Sequence, residues 1–158
     1  MYGESDGGVF LGDMMASAQL ASLYSLLDRF QAGARQELES DLRVWQETAP
    51  DNPLVWNLHC AILRDRHDWP LALALMQKAV RLLPNDPSLG NNLALVLDDN
   101  GLFSEAEALL RRLRLQYPGL AQIDSNLGNS LLAQGKDAGA EIAYLSALKK
   151  QPDFQDAK

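Results

Sequence analysis

The 158 residues hold one cysteine, two histidines and only 7% aromatic side chains, so the groups that most often carry chemistry are scarce. A lone thiol, Cys60, cannot form a disulfide within the chain. That suits a reducing compartment, and a cytoplasmic location is expected. Positive charge is also short, with 14 basic against 21 acidic residues and a net charge of -7. Nucleic acid and anionic membrane surfaces both require clustered Lys and Arg, so neither is expected as the partner. No basic residue precedes Arg29, which argues against a secretory signal with a positive start. The longest uncharged stretch, Met14 to Leu27, falls short of the roughly 20 residues a membrane-spanning helix needs. Apolar residues nevertheless reach 47%, enough for a packed core rather than a disordered chain.

What the sequence does have is a period. Pro50, Pro84, Pro118 and Pro152 follow one another at intervals of 34 residues. In the same phase run Ala72, Ala106 and Ala140, and Leu63, Leu97 and Leu131. So do the small residues Cys60, Ala94 and Gly128, the large ones Met76, Leu110 and Tyr144, and the set His67, Gly101 and Gly135. Each unit reads as two helices. Leu93, Ala94 and Leu97 share one face of the first, and Asn100-Gly101 stops it. Ser104 is expected as the N-cap of the second, with Glu107 closing a capping box. Ala106, Leu109, Leu110 and Leu113 form its apolar stripe, and Pro118 ends it.

The pattern of aromatic or apolar residue, leucine, small residue, glycine, alanine, large apolar residue, alanine and proline resembles the tetratricopeptide repeat family. The matches are Trp56, Cys60, Leu63, Ala72, Met76, Ala79 and Pro84; Leu93, Ala94, Gly101, Ala106, Leu110 and Pro118; and Leu127, Gly128, Gly135, Ala140, Tyr144, Ala147 and Pro152. His59 and His67 depart from it, as do Gly90 and Asp124 where an aromatic is usual. The resemblance implies an all-α, right-handed superhelical solenoid of helix-turn-helix repeats. Three repeats are expected, at 53–86, 87–120 and 121–154, with a further helix starting at 155–158. Residues 16–52 read as a degenerate helical pair that caps the array, and 1–15 as a disordered or loosely packed segment.

Catalysis and metal binding find little support. His59, Cys60 and His67 are too few and wrongly spaced for zinc, and Cys60 holds the repeat's small buried position. Gly128 to Lys136 superficially resembles a phosphate loop, but its gap is too long and Asp137 stands where Ser or Thr is needed. Asp98 and Asp99, at a helix end, read as solvated surface before they read as an acid–base pair. No enzyme activity, cofactor or metal is expected.

The informative residues are Asn57, Asn91, Asn92, Asn126 and Asn129, all in first helices, where asparagine is an indifferent helix former. The resemblance implies that these helices line a concave groove. An amide both donates and accepts, so such a ladder can grip an extended backbone, and Asp98 and Asp99 add acidity to the same face. Members that clamp a terminal carboxylate use Lys and Arg there; this chain has Leu54, Leu58, Ser88, Gln122 and Asn126. The sequence therefore points to a scaffold or adaptor that binds a protein segment with apolar or basic side chains. A dedicated chaperone of a bacterial secretion system and the targeting arm of a longer enzyme are the alternatives. Tyr144, Leu145 and Leu148 are expected to leave an uncapped apolar surface that promotes self-association.

Overall fold

In the computed structural model, residues 22–153 are described, and every regular element among them is helical. The expectations for 1–15 and 155–158 lie outside the described residues. Helix α1 covers 22–31. It is followed by α2 (Arg35–Thr48), α3 (Pro53–Asp65), α4 (Trp69–Leu82), α5 (Pro87–Asp99), α6 (Phe103–Gln116), α7 (Ala121–Ala133) and α8 (Asp137–Lys150). The chain forms two compact units that divide after Val44. In the first, Leu23, Leu26, Leu38 and Leu42 are buried, and Arg29 pairs with Asp41 at 2.6 Å.

The second unit is an all-α solenoid of helix-turn-helix repeats. Each helix from α3 to α8 packs on the next, and α5 additionally touches both α3 and α7. The periodic prolines explain where helices stop. Helices α4, α6 and α8 all end two residues before one, and the intervening Leu83, Tyr117 and Gln151 leave the helical region at φ of -128°, -130° and -142°. Proline's ring disfavours the helical conformation in the residue before it. The turn inside each repeat needs a left-handed residue. Gly101 and Gly135 supply it at φ 74° and 71°, and His67 adopts the same conformation at φ 59° in the first repeat. Its ring sits edge-on to Trp69, 4.9 Å between centroids.

Repeat-to-repeat differences in the core are compensated in pairs. Ala94 and Leu110 share a core cluster, the corresponding residues one period on are Gly128 and Tyr144, and a Cβ on Gly128 would come within 2.5 Å of the tyrosine ring. Likewise Trp56 shares its cluster with the small Ala79, whereas Gly90 leaves room that Leu113 fills. Ala106 is fully buried and Ala108 exposed, as the phase requires.

One start signal is corrected. Helix α6 begins at Phe103, with Leu102 in the cap position and no side-chain cap, so Ser104 lies inside the first turn. The left-handed Gly101 directs the chain into the helix earlier than Ser104 would. Glu107 is instead occupied by Arg111 at 2.9 Å, Gln134 at 3.0 Å and Lys136 at 2.7 Å.

Candidate functional site

The five asparagines all fall on α3, α5 and α7, and the structure joins four of them across repeats. Asn92 Nδ2 donates to Asn57 Oδ1 at 2.8 Å, and Asn126 Nδ2 donates to Asn91 Oδ1 at 2.8 Å. Both bonds span 35 residues, one more than the period, as does the ion pair of Arg64 Nε with Asp99 Oδ2 at 2.5 Å. This offset couples corresponding turns of neighbouring first helices. The Asn91–Asn126 bond is buried, whereas Asn57 and Asn92 are half-buried. Asn57 Nδ2 continues to Ser88 Oγ at 2.9 Å, and Ser88 Oγ donates on to the Asp86 carboxylate. The amides thus serve first to fasten repeat to repeat.

Asn129 stands apart from that ladder: exposed on α7, it accepts from Tyr144 Oη at 2.7 Å. Asp98 and Asp99 are neighbours with different fates. Asp99 is neutralised by Arg64, whose second nitrogen reaches it at 3.3 Å. Asp98 accepts from Ser130 Oγ at 3.0 Å. Burial pushes its carboxyl up to about 6, opposed by the Ser130 bond and reinforced by the charge of Asp99. Burial also pushes the Cys60 thiol up to about 12, so the thiolate is suppressed at neutral pH. Among the described residues no group of three or more metal-type ligands converges.

Sequence reasoning missed further ties of the same kind. Asn100 Nδ2 donates to the Trp69 and Val96 carbonyls at 3.1 and 2.8 Å, and Gln134, one period on, reaches the Phe103 and Ser130 carbonyls. The shared phase of Asn100 and Gln134 is the signal that could have found them. Asp124, which replaces the repeat's aromatic, is fully buried. It pairs with Lys150, accepts from Ser146 Oγ at 3.0 Å and lies 3.8 Å from Arg114.

At the other candidate surface, Tyr144 and Leu148 are half-buried and pack on Ala121 and Ala147, whereas Leu145 is 58% exposed. Ile142, three residues before Leu145 and 67% exposed, extends that face and was not singled out in the sequence. Among the described residues no helix is long and apolar enough to cross a membrane.

These repeats match a known class. The model of the tetratricopeptide repeat family matches residues 91–153, and this stretch of the chain is built of tetratricopeptide repeats. No curated protein sequence matches it significantly. Similar solved structures include YrrB, described as a TPR protein with an unusual peptide-binding site. It is 22% identical with a TM-score of 0.70, over 82% of this chain and 66% of that one. A thermophilic TPR protein of Thermus thermophilus is 18% identical with a TM-score of 0.76, covering 85% and 75% of the two chains. PilF of Pseudomonas aeruginosa is 20% identical with a TM-score of 0.77, covering 90% of this chain and 65% of that one. The chain thus spans about two thirds of the length of YrrB and PilF.

Proposed function

We propose that the repeat array is a non-catalytic protein-interaction scaffold that holds an extended partner segment along the face of α3, α5 and α7. The observation that carries this reading is the ladder of amide bonds on that face. Fixing successive first helices at a set spacing produces a pre-organised polar track, and pre-organisation lowers the cost of binding a flexible chain. The half-buried Asn92 and Asp98 and the exposed Ser88 and Asn129 supply donors and acceptors along it. The Asn91 side-chain oxygen and the Asn126 amide nitrogen, bonded to each other, set the spacing.

Asp98 gives the track a preference for basic over acidic side chains, since Arg64 already neutralises Asp99. A library of unstructured 12-residue peptides, scanned by fluorescence anisotropy at pH 7.5, tests this. Peptides with Lys or Arg among apolar residues are expected to bind, and Asp98→Asn to weaken them several-fold at low salt. Preferential binding of acidic peptides, or affinities indifferent to Asp98→Asn and Asn92→Ala, would place the interaction elsewhere.

A further inference from the structure

The starts of the first helices are not equivalent. Helix α3 is capped by Asn52, whose side chain accepts from Leu54 N, and α5 by Asp86, whose carboxylate accepts from Leu89 N at 3.0 Å and from Ser88 Oγ. The corresponding residue of α7 is Leu120, with no side-chain cap. Its backbone is nevertheless shaped for the role. Leu120 has φ -88° and ψ 103°, against -96° and 108° at Asn52 and -86° and 114° at Asp86. The amides of Ala121 and Gln122 have no acceptor among the described residues. Helices α6 and α8 also start without a side-chain cap, so a missing cap alone marks nothing.

What distinguishes α7 is the cleft beside it and the side chain that lines it. Pro87, Ser88, Asn91, Leu120, Gln122 and Ile123 are among the walls of a cleft of about 470 Å³. Asn91 is 9% exposed, and its carbonyl oxygen is taken by Asn126. Its amide nitrogen has no acceptor among the described residues. One repeat earlier the equivalent nitrogen, on Asn57, donates to Ser88 and through it to Asp86. At α7 Leu120 replaces Asp86, and Gln122, which replaces Ser88, turns its amide to Asn126 at 3.3 Å. The relay therefore lacks its terminal acceptor. A buried side-chain donor and the free first-turn amides of a 13-residue helix meet in an open cleft without an anion.

We infer that this cleft accepts a side-chain carboxylate, an Asp or Glu of a protein partner, which caps α7 from outside on the open amides of Ala121 and Gln122, the Ile123 amide being held by the Leu120 carbonyl at 3.2 Å. The helix start favours a negative group, and Pro87, Leu120 and Ile123 give its methylene stem an apolar wall. The site adjoins the peptide track proposed above, with Ser88 common to both, and small probes test it whether or not that track binds a peptide. Acetyl-aspartate amide, titrated into the ¹⁵N-labelled chain, is expected to shift the Ala121 and Gln122 amides and the Asn91 side-chain NH₂ saturably. Acetyl-asparagine amide should leave them unmoved, and N-acetylglycine, a main-chain carboxylate, should bind more weakly. Leu120→Asp supplies the cap internally, so it should abolish the aspartate shifts while raising Tm by ~2–4 °C. Leu120→Ser, a neutral cap, should compete less completely and serves if the Asp variant fails to fold. No saturable shift, equal shifts with all three probes, a preference for N-acetylglycine, or undiminished binding by both capped variants would overturn the assignment.

Discussion

Two carboxyl groups in the second unit are displaced in opposite directions, and each leaves a mark on stability. The Asp98 carboxyl, raised by burial from 3.8 to about 6, is protonated more readily folded than unfolded. Its favourable contribution is therefore complete below about pH 4 and is lost as the pH rises through 6. Glu107 runs the other way. The Lys136 ammonium, with Arg111 and Gln134 and against the effect of burial, holds its carboxyl down at about 2. That contribution is present above the ordinary value of 4.5 and disappears as the pH falls towards 2. Asp98→Asn should accordingly flatten the change of unfolding free energy between pH 4 and 7 and leave the acid limb in place. Denaturant titrations at stepped pH would show it, and an unchanged profile would mean that Asp98 is freely solvated in the folded protein.

At the scale of the helix pair, packing is conserved as a sum rather than residue by residue. Gly128 has no room for a methyl group because the Tyr144 ring stands where its Cβ would be, whereas one period earlier Ala94 is accommodated with the smaller Leu110 in place of the tyrosine. Gly128→Ala should cost ~1–3 kcal/mol by overpacking. Adding Tyr144→Leu rebuilds the Ala94–Leu110 combination inside the third repeat, although it gives up the bond to Asn129. The double variant should therefore be more stable than the two single changes predict together, by ~0.5–3 kcal/mol of coupling. Thermal unfolding of the four proteins measures this term, and strict additivity would mean that α7 and α8 adjust without regard to the pair.

Across the molecule, the all-α repeat fold was legible because every repeat must meet the same local demands. A left-handed turn residue, a small residue at each helix crossing and a proline after the second helix recur with the period. The candidate face was legible only in part. Asparagines on α3, α5 and α7 could be found by phase, but their bonds link residue i to i+35, and that offset comes from how one repeat stacks on the next. The start of α6 was misread at Ser104 because a tight turn at Gly101 outranked a favourable cap. The uncapped start of α7 is not legible in the sequence, because leucine at 120 carries no signal until its backbone angles are set beside those of Asn52 and Asp86.

The central claim is that one face of the repeats, that of α3, α5 and α7, receives the partner segment. Chemical-shift mapping of the ¹⁵N-labelled protein with the tightest peptide from the library tests it most directly. The account predicts that the largest perturbations fall on Ser88, Asn92, Asp98 and Asn129, with the exposed residues Lys78, Arg112 and Ile142 of α4, α6 and α8 unaffected. Perturbations concentrated on α4, α6 and α8 would contradict it.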